Sequence, residues 1–318
     1  MPEYRAIREK TDFLTLCKTP ELASEVTVQP IDRIGVDAAI LFSDILVIPE
    51  AMGMGLEIVE SKGPILDNPI RGAADLDRLK TEGTTDRLEY VMQAIRLTNE
   101  KLAGRVPLIG FSGAPWTLAT YMVEGQGSKN FERIKSMIYN EPAVAHRLLE
   151  KLADSVVDYL NAKIRAGCDA VQIFDTWAGA LTPSYVEEFS LRYLRYICSR
   201  LETDGAPVIV FAKGVADISM LADLECDVLG IDWTKNIGEA ASAVGEKAVQ
   251  GNLDPCVLFG PKEVIRSEVR RILDEIGGRP GHIFNLGHGI LPGTPPGSAK
   301  YLVSCVKELS IKSTQAAG

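Results

Sequence analysis

The sequence predicts an α/β fold of the (β/α)8, TIM-type barrel class, in one domain over residues 1–318. Three observations carry this expectation. Seven short apolar runs recur along the chain, helical repeats lie between most of them, and a polar residue follows each run within a few positions.

The runs are Ala38–Phe42, Val106–Phe111, Ala170–Phe174, Val208–Phe211, Val228–Ile231, Ala248–Gln250 and His282–Leu286. They are rich in β-branched residues and uniformly apolar, which suits strands buried on both faces of a parallel sheet. A closed barrel of this class needs eight strands, so one is missing or unrecognised.

Between the runs, the apolar residues Leu88, Val91, Ile95 and Leu102 share one helical face within Asp86 to Ala103. Leu149, Leu152, Val156, Leu160 and Ile164 repeat at helical spacing, with Gly167 as a stop signal. Val186, Phe189, Tyr193, Ile197 and Leu201 form a third stripe, and Ile265, Val269, Ile272 and Ile276 a fourth after Pro261. The Gly/Pro-bearing segment Pro49 to Asn68 is an excursion, and Glu124 to Lys129 is expected to be a mobile loop.

The polar residues after the runs are Asp44, Ser112, Asp175 with Thr176, Lys213, Asp232, Asp254 and His288. In parallel barrels the C-terminal strand ends carry the chemistry, because loops from different strands converge on one mouth. Asp, Ser and Thr are equally at home as helix caps and turn residues, so each one has a structural reading as well.

Composition bounds the function. Hydrophobic residues make up 46% of the 318 and charged residues 24%, as expected of a folded globular chain. A net charge of -9 argues against a general nucleic-acid or anionic-membrane surface, while leaving room for a few cations focused in a cleft on an anionic small substrate. The most apolar stretch, Val36 to Leu56, is broken by Asp37, Asp44 and Glu50 and reads as a strand and loop, not a membrane span. The six cysteines form no C-x-x-C pair, which fits a reduced, cytoplasmic setting.

Long motifs then narrow the field: LFSDILVIPEAMG from Leu41, GFSGAPWTLATYMVEG from Gly110, QIFDTWAG from Gln172, FAKG from Phe211, GIDWT from Gly230, QGNLDP from Gln250 and NLGHGILP from Asn285. In this order, over nearly the whole chain, they resemble the uroporphyrinogen decarboxylase family. The resemblance implies a distorted (β/α)8 barrel, usually a homodimer, that removes CO2 from the four acetate arms of uroporphyrinogen III to give coproporphyrinogen III. It implies no metal and no organic cofactor. The family's first strand and following loop usually read close to R-Q-A-G-R-Y-L-P-E-Y-R, whereas this chain begins Met1-Pro2-Glu3-Tyr4-Arg5. The expectation is therefore that the first strand, with two carboxylate-binding arginines, is absent, and that Ala38–Phe42 and His282–Leu286 become sheet edges.

By resemblance, Asp44 is the catalytic aspartate that accepts hydrogen bonds from the pyrrole N–H groups. Tyr121, Thr176 and His288 match substrate-binding positions, and Arg8 is the candidate for a surviving carboxylate contact. Lys213 is not equivalent to the absent arginines, since a guanidinium binds a carboxylate through two parallel hydrogen bonds. Two other readings stay open. One is an inactive, truncated remnant. The other is a corrinoid or cobalamin-independent methyltransferase, which would need zinc ligands, yet none of His146, His282 and His288 has a cysteine two residues on.

Overall fold

The computed structural model describes residues 1–59 and 62–316. Seven parallel strands form one curled sheet: β1 (Ala39–Ile40), β4 (Leu108–Gly113), β5 (Ala170–Asp175), β6 (Val208–Ala212), β7 (Val228–Gly230), β8 (Ala248–Leu253) and β9 (His282–Leu286). Their spatial order is also their chain order, so each crossover returns the chain to the next position along the sheet. Each corresponds to one of the seven apolar runs.

The sheet is open between β1 and β9 among the described residues, and these two are the edges expected from the sequence. Their burial reflects it. All five residues of β6 in the middle are buried, whereas Ile40 and Ile283 on the edges are each nearly half exposed. The helix Pro296–Ala316 links the two sides: Lys307 donates to the Gly35 carbonyl at 3.0 Å and pairs with Asp37 at 2.8 Å, just before β1.

Helices fill most crossovers. Glu89–Leu102 precedes β4, Pro142–Arg165 precedes β5, and Lys262–Ile276 precedes β9, each burying its apolar stripe. The third stripe is not one regular helix. Pro183–Val186 and Arg192–Cys198 flank a π-turn over Glu187–Leu191, which leaves Phe189, Ser190 and Leu191 all buried. The excursion after β1 holds an antiparallel hairpin of β2 (Leu56–Val59) and β3 (Gly63–Leu66). The segment expected to be a mobile loop is hydrogen-bonded instead: Gln126 bridges to Ile65, and Glu124 accepts from the backbone N–H groups of Arg133 and Ile134. Among the described residues no helix is long and apolar enough to cross a membrane.

Candidate active site

The strand-end polar residues divide into two groups once their partners are known. Ser112 donates to the Gly113 carbonyl at 3.0 Å and is buried. Asp254 accepts from Cys256 N at 2.8 Å and caps the turn after β8. Asp232 accepts from Gly214 N and from Thr234 N, both at 2.9 Å, and so ties the loop after β6 to the loop after β7. Asp175, with no exposed surface, accepts from the hydroxyls of Thr117 and Ser190. These four are engaged within the protein.

The others keep polar atoms free among the described residues. Asp44 follows β1, where Phe42 N donates to Thr27 Oγ1 at 2.8 Å and fixes the chain's exit from the sheet. One carboxylate oxygen, Oδ1, accepts from Leu46 N at 2.7 Å, so the turn-capping role is real. The other, Oδ2, has no protein partner among the described residues. Burial is the main cause of a carboxyl pKa above the usual range, opposed by the Leu46 N–H and reinforced by the negative charge of Glu50.

Tyr121 projects from the helix Pro115–Glu124 after β4. Its ring lies 6.4 Å from that of Trp177, and burial, with a smaller contribution from Asp44, raises its phenol pKa. The charge of Asp44 therefore reaches the Tyr121 phenol. Thr176 and Trp177 form the turn after β5. The main chain of Trp177 is fixed at both ends: its amide N–H donates to Thr117 Oγ1 at 3.2 Å, and its carbonyl accepts from the indole Nε1 of Trp116 at 3.0 Å. Thr176 caps no helix, and its hydroxyl has no hydrogen-bond partner among the described residues.

Lys213 follows β6, with its ammonium 5.6 Å from the Trp177 ring centre and 5.4 Å from that of Trp233. His288 completes the row after β9, 6.1 Å from the Trp233 ring and 6.4 Å from Phe211. Partial burial first, and the positive charge of Lys213 second, hold its imidazole pKa below the ordinary value. The other two histidines are structural. His146 stacks on Phe189 at 4.7 Å and bonds Tyr193 Oη at 2.7 Å, while His282 Nε2 lies 2.9 Å from the Gly251 carbonyl.

The glycine before His288 has a local explanation. A Cβ on Gly287 would lie 2.3 Å from Trp233 N, so the close approach is to protein backbone and brings the β9 loop onto the β7 loop. Gly287→Ala is expected to cost about 1–3 kcal/mol through overpacking and to displace Trp233 and His288 together. An unchanged melting temperature would contradict that packing argument.

The structure thus brings Asp44, Tyr121, Thr176 and His288 to one end of the sheet. Arg8 is engaged locally, its guanidinium bonded to the Thr11 carbonyl and 6.0 Å from the Phe13 ring. Trp177 and Trp233 were not singled out by sequence reasoning, though each directly follows a strand-end polar residue. Among the described residues no three His, Cys, Asp or Glu side chains converge as a metal-holding group.

Comparison with known proteins places the chain in a family. A family model described as uroporphyrinogen decarboxylase matches residues 1–309. The chain is 53% identical to a uroporphyrinogen decarboxylase of Chlorobium phaeobacteroides, over 98% of this chain and 91% of the relative. It is 54% identical to one of Chloroherpeton thalassium, over 99% and 92%. Among solved structures, a methyltransferase from Methanosarcina mazei superposes with a TM-score of 0.79 at 21% identity, covering 92% of this chain and 86% of that one. A B12-independent methionine synthase from a Shewanella species superposes with a TM-score of 0.61 at 12% identity, covering 93% and 89%. At those identities the two structures speak for the fold alone.

Proposed function

Because the chain belongs to the uroporphyrinogen decarboxylase family, we propose that it is a carboxy-lyase that removes the acetate carboxyl groups of uroporphyrinogen as CO2 to give coproporphyrinogen. The observation that carries this reading is the full-length likeness to relatives of that activity. The set of unpartnered groups at the strand ends supports it.

Decarboxylation of a pyrrole acetate needs somewhere for the C–COO electrons to go. A proton added to the ring makes an iminium-like cation, and the bond to CO2 breaks as its electrons flow into that cation. A second proton on the former acetate carbon, with loss of the ring proton, restores the pyrrole with a methyl group. The net change is one proton for one CO2. Asp44 supplies the pre-placed anion: Oδ2 accepts from pyrrole N–H groups while Leu46 N holds Oδ1 still. Tyr121, near Asp44, offers a phenol donor and an aromatic face, and Thr176 and His288 offer donors to side-arm carboxylates. We further propose a homodimer acting in the cytoplasm.

Incubation of the purified protein with uroporphyrinogen under reducing conditions, with a chelator present, is expected to yield coproporphyrinogen, detected by chromatography after oxidation. Unchanged substrate from a folded protein would refute the assignment. Activity abolished by the chelator and restored by zinc would favour metal-dependent chemistry of the methyltransferase kind.

A further inference from the structure

Lys213 has no role in the family-derived reading, yet it occupies the middle of the row. The order β1, β4, β5, β6 places it three strands along the sheet from Asp44. Its neighbours are rings. The ammonium stands between Trp177 at 5.6 Å and Trp233 at 5.4 Å, and its charge reaches His288. Two aromatic faces attract a cation but accept none of its N–H bonds in the manner of an oxygen. An ammonium carries three donors, and among the described residues Lys213 has neither a carboxylate nor a carbonyl partner. Lys163, fully buried on the helix before β5, does find one, donating to the Phe111 carbonyl at 2.7 Å. The unspent donors of Lys213 point to an acidic ligand.

We propose that Lys213 is a substrate-binding residue holding a side-arm carboxylate, in a pocket completed by the Thr176 hydroxyl and His288 and walled by Trp177 and Trp233. This inference rests on the proposed substrate being a polycarboxylate. The residue type suits the task. A guanidinium demands one planar, two-pronged approach, whereas an ammonium on a flexible stem accepts a carboxylate from several directions. A substrate that loses four carboxylates in succession presents a changed set of arms at each round, and a tolerant cation can serve all of them. The two indoles limit the stem's wandering, so the charge stays at the mouth while its approach direction remains free.

Two variants test it: Lys213→Met, which keeps an apolar stem between the rings, and Lys213→Arg, which keeps the charge. The probe is uroporphyrin, the oxidised and fluorescent octacarboxylate, titrated by quenching. Lys213→Met is expected to weaken binding about tenfold, the size of one lost charge-assisted hydrogen bond, and to raise KM more than it lowers kcat. Lys213→Arg should recover most of the affinity. Proton NMR supplies a readout independent of turnover: in Lys213→Met the imidazole of His288 should titrate at higher pH, because a neighbouring positive charge is gone. Uroporphyrin binding by Lys213→Met within about twofold of wild type would overturn the proposal, provided circular dichroism shows the fold intact. If Lys213→Met does not fold, affinity lost in Lys213→Arg with His288 still titrating as in wild type would overturn it equally. Wild-type protein that binds uroporphyrin through Lys213 yet forms no product would sink the decarboxylase reading and leave this pocket standing.

Discussion

Asp44→Asn should keep the fold and lose on the order of 10²-fold or more in kcat, because a neutral amide cannot stabilise a pyrrole-derived cation as a pre-placed anion does. The prediction has a second half that a purely structural aspartate would fail. Burial raises the Asp44 pKa in the folded chain. A carboxyl shifted upward contributes stability that is fully present below its unfolded pKa and lost as pH rises through the folded value, so at neutral pH the ionised form is a cost to folding. Removing the charge should therefore leave the melting temperature unchanged or slightly higher while activity collapses. This opposition between stability and activity is the signature of a group retained for function. Steady-state kinetics and thermal unfolding on one preparation measure both. An activity drop below about threefold would remove Asp44 from the catalytic role. A large loss of stability would show that its bond to Leu46 N is the main reason for its presence.

The requirement for the ionised form also fixes the acid limb of the pH profile. Activity should fall on acidification at a pH above the ordinary carboxylate range, and that limb should be absent from whatever residual rate Asp44→Asn retains.

The central strands were legible because both of their faces are buried. A strand such as β6 must be apolar at every position to sit between helices and the opposite face, and the run Val208–Phe211 is the plain mark it leaves in the sequence. The edges were legible for a different reason, since sequential strands neighbour one another and the first and last therefore flank any gap. The hairpin β2–β3 was not, because four-residue strands with Pro64 inside one of them carry little alternation to detect. Nor was the π-turn at Glu187–Leu191: one extra residue rotates the apolar stripe by about 100°, roughly a quarter of a helical revolution, and the remaining apolar residues still look periodic. Lys163 shows the limit of patterning. A lysine within an amphipathic helix reads as solvent-facing, but Gly110 on the facing strand leaves the space its stem fills, since a Cβ there would lie 3.1 Å from Lys163 Cδ.

The site was legible in pieces. Asp44, Tyr121, Thr176 and His288 were named from motifs, and Asp44, Thr176 and His288 also by their place just after a strand, whereas Tyr121 lies inside the helix after β4. What the sequence did not tell was which strand-end residues are already satisfied. Asp232 and Asp254 have the same chemistry as Asp44 and, like it, follow a strand within a few residues, yet both oxygens of Asp232 are taken by the loops it joins. Thr234 N is a local partner, but Gly214 N belongs to the loop after a different strand and is brought close only by folding, so neither spacing nor residue type reveals it. The same holds for the indoles around Lys213, which belong to the turns after β5 and β7.

Asp175 is where the largest effect on stability is expected. It sits at the end of β5, accepts from Thr117 on the helix that carries Tyr121 and from Ser190 in the π-turn, and Thr117 Oγ1 in turn receives Trp177 N. Asp175→Ala leaves two buried hydroxyls without their acceptor, which should cost about 2–5 kcal/mol. Because the same network sets the Tyr121 helix against the Trp177 turn, activity should fall too. Asp175→Asn separates charge from hydrogen bonding. Burial raises the Asp175 pKa to about 6, against the ordinary 3.8, while the two hydroxyls pull it back down. The carboxyl's stabilising contribution is therefore complete below pH 3.8 and is lost as pH rises through about 6. Across that window the ionised form costs about 3 kcal/mol that an amide never incurs. Relative to wild type, Asp175→Asn should thus be at its worst near the acid end and improve steadily as pH rises, with rotated hydroxyls able to serve both its oxygen and its amide. Denaturant unfolding of wild type and both variants at several pH values between the two limits measures this directly. If the difference between Asp175→Asn and wild type does not change with pH, the carboxyl is not the proton-binding group that burial makes it. If Asp175→Ala is as stable as wild type throughout, the network does not hold the two helices to β5.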